Sequence, residues 1–227
     1  MVEDSQGAGE KPRTSLWSDL YKDYRRYRAT GARGWFGVIF LTQGFWAVSV
    51  YRLTHRLERW RFLPGLGLVL HAIGTVLHKA AEVITGISLP PECDIAPGLY
   101  IGHFGPTVVH GAVHIGANCN LSQGVTIGIA GREENRGCPT LGDRIYVGPN
   151  AVIMGKISIG DDAAIGAGAI VSKAVPDRGV AVGNPASVIS YRGSFDFVQY
   201  DGMETDPERL AAFGGEARAA DGPQDTK

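Results

Sequence analysis

Between Val113 and Val171 the chain repeats every six residues, a period that is neither the 2.0 of a strand nor the 3.6 of a helix. Large aliphatic residues fall at Ile115, Leu121, Ile127, Leu141, Val147, Ile153, Ile159, Ile165 and Val171, and glycine follows six of these nine. Two positions before each stands a compact apolar residue: Val113, Cys119, Val125, Pro139, Ile145, Ala151, Ile157, Ala163 and Ala169. A helix advances about 100° per residue, so a period of six would scatter the aliphatics around its surface. A parallel β-helix uses that period directly. Each unit supplies one short strand and a corner, roughly 18 residues complete a triangular coil, and stacked coils align the aliphatics into interior ladders. Glycine suits corners where the backbone takes an unusual φ or approaches its neighbour closely. Residues 95 to 189 would supply about five coils.

Four segments follow from the change of texture along the chain. Residues 1–14 are polar and read as a flexible N-terminus, without the apolar stretch of a signal peptide. Residues 15–92 read as an α-helical region: Leu16, Leu20, Tyr24 and Tyr27 recur at helical spacing, as do Tyr51, His55 and Arg59, and a further helix is predicted from Leu66 to Val83 after Pro64-Gly65. Residues 93–189 carry the β-helix, and 190–227 form a tail whose order fades, with a short helix over Asp206 to Phe213 and the last fifteen or so residues mobile. The run from Trp35 to Leu53 has no charge before Arg52. Gln43, Gly37, Gly44 and the even spread of aromatics favour a buried helix or helix pair there, with membrane association as the second reading.

Composition closes several routes. Lys and Arg number 22 against 23 Asp and Glu, a formal charge of −1, so no global field draws the chain to nucleic acid or to an anionic membrane, and any recognition is expected to be local. Cys93, Cys119 and Cys138 are odd in number and outside any CxxC pattern, which fits a reducing, cytoplasmic setting and gives no framework for disulfides or structural zinc.

Function in a regular prism is expected where the regularity fails, because an irregular loop can aim side chains outward from a fixed support. Ile101 to Val109 spans eight residues instead of six, so the rung holding His103-Phe104-Gly105-Pro106 bulges by two. Ile127 to Leu141 spans fourteen, two more than twelve, and IAGREENRGCPT reads as a projecting polar loop. Val109 and Ile127 are eighteen residues apart and so share one side of successive coils. This phase makes three nearby histidines inequivalent: His114 precedes inward Ile115 and faces out, His110 follows Val109 at a corner, and His103 alone lies in the bulge. Spacings of H-x6-H and H-x3-H in different phases do not converge on one ion, so no metal site is expected.

These words resemble the hexapeptide acyltransferases, and within them the serine O-acetyltransferases: IGHFGPTVVHGAVHIG, NCNLSQGVTIG from Asn118, IGDDAAIGAGAIVSKAVP from Ile159 and AVGNPASVI from Ala181. The resemblance implies a mainly β fold, a left-handed parallel β-helix of hexapeptide repeats with an N-terminal α-helical region, assembled as a homotrimer that can stack further. It implies acetyl-CoA as co-substrate, lying in the groove between two prisms, and His103 as the general base. For CoA it points to Gly166, Ala167, Lys173, Gly183, Asn184 and Pro185.

Departures from that family bear on the acceptor. Ser88 and Gly102 stand where the family keeps aspartates, and its serine-holding Arg-His pair falls at Gly137-Cys138; Arg132 and Arg136 in the same loop can meet a carboxylate, and with Ser88 they are the candidates for binding the acceptor. The family's terminal Ile for docking cysteine synthase has no counterpart, the chain ending QDTK, so that complex is not expected. The reading is an O-acetyltransferase with L-serine as first acceptor. A sugar, polysaccharide precursor or specialised metabolite is the alternative, and a non-catalytic β-helix scaffold is the rival of another class.

Overall fold

The computed structural model describes residues 15–30 and 34–212. The six-residue period folds as a triangular prism of parallel strands. The first face stacks β1 (Ile87–Ser88), β4 (Thr107–Val109), β7 (Thr126–Gly128), β10 (Val152–Met154) and β13 (Ile170–Val171). The second stacks β2 (Asp94–Ile95), β5 (His114–Ile115), β8 (Thr140–Leu141) and β11 (Ser158–Ile159). The third stacks β3 (Tyr100–Ile101), β6 (Asn120–Leu121), β9 (Tyr146–Val147), β12 (Ala164–Ile165) and β14 (Val180–Gly183), with β15 (Ala186–Ser190) turning back antiparallel on β14. This is the left-handed β-helix of the expected class.

Register keeps like residues above like. Ile95, Ile115, Leu141 and Ile159 form one interior ladder, Ile101, Leu121, Val147, Ile165 and Ala181 a second, and Val109, Ile127, Ile153 and Val171 a third, all buried. The compact residues two positions earlier, among them Val113, Cys119, Val125, Ile145, Ala151, Ala163 and Ala169, fill the corners between ladders.

The prism starts before residue 93, because Ile87 and Ser88 already pair with Thr107 and Val108. The Pro90-Pro91 break after β1 hides this first rung from the period. The polar loop is also longer than the count of two extra residues suggested. β7 and β8 are consecutive strands, so the fourteen residues from Ile127 to Leu141 replace six and project eight. The extra residues make a hairpin arm, closed at its neck by reciprocal Ala130–Gly137 backbone hydrogen bonds of 3.1 and 3.0 Å and turned by a 3-10 segment, Glu133–Asn135.

Four helices precede the prism: α1 (Leu16–Thr30), α2 (Trp35–Leu41), α3 (Gln43–Glu58) and α4 (Leu66–Thr85). The predicted helix pair over 35–53 exists, bent by 73° at Thr42, but only α3 is buried as expected. Ala47, Val48 and Tyr51 join the prism core and close its lower end, where a row of unpaired strand groups would otherwise face solvent. Tyr51 Oη donates to Cys93 O at 2.8 Å and accepts from Ile95 N–H at 3.1 Å, and Tyr27 Oη accepts from Ile101 N–H at 3.0 Å. A Cβ on Gly44 would stand 1.9 Å from Ile101 O, so only glycine lets α3 lie this close. Buried Arg52 pairs with buried Asp23 at 2.8 Å and donates to Ala96 O at 2.9 Å, while Asp23 accepts from Gly98 N–H at 2.7 Å. One ion pair thus joins α1, α3 and the first coil.

The chain after Ser190 keeps its order further than composition suggested. Residues 191–212 run back over the third face as a strap, with Phe195, Val198 and Tyr200 buried, Phe197 stacked on Tyr146 at 4.5 Å, and residues 207–212 helical. Ser194 N–H donates to Asp162 O at 2.8 Å, and Arg144 clamps Asp162 at 2.9 Å and Glu208 at 2.9 Å. The flexible N-terminus (1–14) and the mobile last fifteen residues of the sequence reading lie outside the described residues.

Shortening one ladder residue tests the packing. Ile153→Ala should cost about 2–5 kcal/mol in urea unfolding, while Ser158→Ala, outward on the second face, should change stability by less than about 0.5 kcal/mol.

Candidate functional site

The two interruptions of the period flank the first face from opposite sides. The bulge holding His103 forms the leading edge, where the chain passes from the third face to the first. The arm leaves the trailing edge, where it passes from the first face to the second. Val109 pairs with Ile127, so bulge and arm belong to adjacent coils.

His103 is exposed at the leading edge and has no hydrogen-bond partner among the described residues. Its bulge is nonetheless held: Gly105 N–H donates to Thr85 O at 3.0 Å and Thr107 N–H to Gly86 O at 3.2 Å, fastening it to the C-terminus of α4. Gly86 is at φ +70°, and a Cβ there would sit 3.1 Å from the Gly105 carbonyl. Beside His103 the sequence reading missed Phe104, 67% exposed, and Val108, the outward residue of β4, 46% exposed. Their signal was available: an aromatic inside the bulge, and an apolar residue in the outward phase.

Upward from His103 the leading edge passes Ser122-Gln123-Gly124, Gly148-Pro149-Asn150 and Gly166-Ala167-Gly168 to Gly183. Backbone bonds tie the corners together, Asn150 N–H to Gln123 O at 3.0 Å and Gly168 N–H to Pro149 O at 2.8 Å. Coils rise about 4.8 Å each, so Gly166 stands roughly 14 Å and Gly183 roughly 19 Å above His103. Gly166 is required by packing, since a Cβ would meet Val182 Cγ1 at 2.8 Å. Ala167 and Gly168 are the exposed members, and nothing lies within 4 Å of a Cβ on Gly168. Gly183, Asn184 and Pro185 form the exposed turn between β14 and β15.

Lys173, Arg132 and Arg136 do not join this group. Lys173 follows β13 and the two arginines lie on the arm, all exposed on the trailing side of the first face. Three strand residues separate the edges, about 10 Å of extended chain. The predicted residues therefore fall into two sets: His103 with the small-residue corners, and the cations opposite.

Ser88, on β1, is engaged by a helix. Its hydroxyl donates to Glu82 of α4, which also meets His78 Nε2 at 3.1 Å and Lys79. Burial raises the Glu82 carboxyl, but the hydrogen bonds from Lys79 and Ser88 outweigh it and hold it below its ordinary range. The other histidines are committed elsewhere. His114 Nδ1 meets Asp94 at 2.8 Å on the second face, and His110 Nδ1 accepts from Ala112 N–H at 3.1 Å beside Cys138 Sγ at 3.2 Å. Each histidine thus occupies a separate place around the prism, and among the described residues no three metal-ligating side chains gather. Gly137 is explained by crowding, for a Cβ would stand 2.8 Å from that of Lys156.

Residues 139–173 match the family model described as bacterial transferase hexapeptide (six repeats). A serine acetyltransferase of Helicobacter pylori is 36% identical over 159 residues, covering 70% of this chain and 88% of that protein. One from Mycobacterium tuberculosis is 33% identical over 195 residues, covering 81% and 82%. Among solved structures, soybean serine acetyltransferase apoenzyme superposes with a TM-score of 0.67 at 29% identity, covering 77% of this chain and 69% of that one. The Brucella abortus enzyme in complex with coenzyme A gives 0.68 at 25% identity, covering 77% and 68%.

Thiol reactivity reports the packing at the foot of the arm. Burial pushes the thiols of Cys93 and Cys119 up to about 12 and raises that of half-buried Cys138. Iodoacetamide labelling of the folded protein, read by peptide mass spectrometry, should modify Cys138 first and leave Cys93 and Cys119 unmodified until unfolding.

Proposed function

The chain belongs to the serine acetyltransferase family, and from that membership we infer that it transfers the acetyl group of acetyl-CoA to the hydroxyl of L-serine. The observation that carries the residue assignment is the leading edge, where one unpaired imidazole stands at the foot of a line of small-residue corners.

His103 accepts the proton of the acceptor hydroxyl as that oxygen attacks the thioester carbonyl. A positioned general base of this kind typically contributes roughly 10²- to 10⁴-fold. Collapse of the tetrahedral intermediate breaks the C–S bond and the CoA thiolate leaves with the proton returned by the His103 imidazolium; because the acceptor oxygen attacks directly, no acyl-enzyme forms. The pantetheine arm lies along the leading edge past Ala167 and Gly168 towards the Gly183-Asn184-Pro185 turn, where the lack of bulky side chains lets it reach backbone groups. Phe104 and Val108 keep the reacting centre apolar, which strengthens hydrogen bonds to the developing oxyanion.

The cations belong to the same reaction if two chains share a site. A gap of about 10 Å is too wide for serine to bridge within one chain. In a trimer, the leading edge of one prism facing the trailing edge of the next brings Arg132 and Arg136 to the acceptor carboxylate and Lys173 to a CoA phosphate. A non-serine acceptor is the second reading, favoured by Ser88, whose hydroxyl is engaged by Glu82, and by Cys138, which lies beside His110.

CoA release, followed with serine, homoserine and a panel of sugars, separates the readings. Turnover should be fastest with serine, and a sugar exceeding it would overturn the acceptor. His103→Ala should lower kcat by about 10²-fold or more without loss of stability, since the side chain is exposed. Undiminished turnover would remove the base assignment, whereas absence of CoA release by the wild type with every acceptor would favour a scaffold. Arg136→Ala should raise the KM for serine and leave that for acetyl-CoA within about twofold, because only the acceptor carboxylate loses a charged hydrogen bond.

A further inference from the structure

Most amphipathic helices on a protein surface turn their apolar stripe inward, and α4 does the reverse. Its inner side is narrow: Gly67, Gly74 and Thr85 are the buried positions, and Gly74 faces Leu57 and Thr54 of α3. Its outer side presents Leu68 at 74% exposure, Val69 at 54%, Ile73 at 47%, Val76 at 68% and Val83 at 85%. By helical geometry these residues span one face together with Ala72 and Ala80, and Lys79 at its margin is the only charge. Over its 20 residues α4 therefore leaves far more apolar area in water than scattered surface residues do.

The turn leading into α4 has a matching chemistry. Arg59-Trp60-Arg61-Phe62-Leu63 follows α3, with Trp60 54%, Phe62 82% and Leu63 42% exposed. Tryptophan between arginines is the composition of the headgroup level of a bilayer, where an amphipathic ring and basic side chains are both satisfied. Between Ser15 and Thr85 stand ten Lys and Arg against four Asp and Glu, although the whole chain has a formal charge of −1. Of these, Arg26 and Arg52 are buried, and Arg25, Arg56 and Lys79 pair with Asp201, Asp19 and Glu82, so the basic charge offered beside α4 is that of Arg59 and of Arg61, which is half exposed next to Glu58.

We propose that the outer face of α4 and the Arg59–Leu63 turn form a docking surface for an anionic lipid bilayer, on which the protein rests peripherally. The Arg59-Trp60-Arg61 turn selects this occupant over a second copy of the chain, because an anionic leaflet attracts both arginines beside the apolar face, whereas a second copy of that face, whose one charge is Lys79, offers them no counter-charge. The helix lies on the surface without crossing it. Its inner side is packed on α3, and its C-terminus runs through Gly86 into β1, holding it against the prism.

Flotation of the full chain with phosphatidylcholine vesicles, with and without phosphatidylglycerol, tests this. The protein should float with the anionic vesicles, weakly with the neutral ones, and less as salt rises. Arg59→Gln with Arg61→Gln should weaken binding to anionic vesicles roughly 30-fold, and Val76→Glu should abolish it, both with unchanged acetyl transfer and circular dichroism. Absence of wild-type binding to anionic vesicles, or equal binding by Val76→Glu, overturns the proposal. So does a fall in assembly mass of Val76→Glu in lipid-free sedimentation, which would show a second copy covering the face. Neither failure bears on the acyltransferase reading, which the turnover of the same preparations reports independently.

Discussion

Everything in this molecule depends on coils stacking at one strand spacing with an aliphatic residue above an aliphatic residue. Adjacent coils stand about 4.8 Å apart, and Ile101, Leu121, Val147 and Ile165 are each buried against the next. The spacing is unforgiving, because a single-residue slip would turn the whole ladder outward. It also explains why insertions are confined to corners: the bulge at His103 and the arm after Ile127 lengthen a coil without disturbing the ladder pairs on either side. The regular part thereby acts as a rigid support on which two irregular segments are held at set heights.

A stack of this kind has open ends and bare faces, and the remaining chain covers some of them. α3 closes the lower end through Tyr51 and the Asp23–Arg52 pair, and the strap from residue 191 covers part of the third face through Phe197 and Arg144. The first face, with the leading and trailing edges on either side, receives neither. That leaves free the surface where His103, Ala167 and the arm arginines stand. α4 joins the two halves of the design, since its C-terminus fastens the His103 bulge while its outer side remains apolar and uncovered.

Much of this was legible in the residues. The period placed every interior aliphatic from Ile115 to Val171 correctly, and the eight-residue gap before Val109 singled out His103 from His110 and His114. Other features were hidden for identifiable reasons. The first rung at Ile87 has no period to reveal it because Pro90 and Pro91 interrupt the spacing. The strap looked like a fading tail because its anchors, Ser194 and Phe197, follow no repeat and are chosen by what they meet on the prism, while Arg209 ties the strap to itself through Phe195 O. The bond from the Ser88 hydroxyl to Glu82 was hidden too, because it joins the first rung to a helix whose docking follows no repeat.

The sequence by itself determined the prism, because a six-residue period is a local property that each rung repeats and that no other regular structure satisfies. It also determined which histidine stands apart, since phase within the period decides direction. Only the tertiary structure decided how the candidate residues divide between two edges and which side of α4 is exposed. Both depend on which segments come to lie against each other, and those contacts join residues whose separation along the chain carries no pattern.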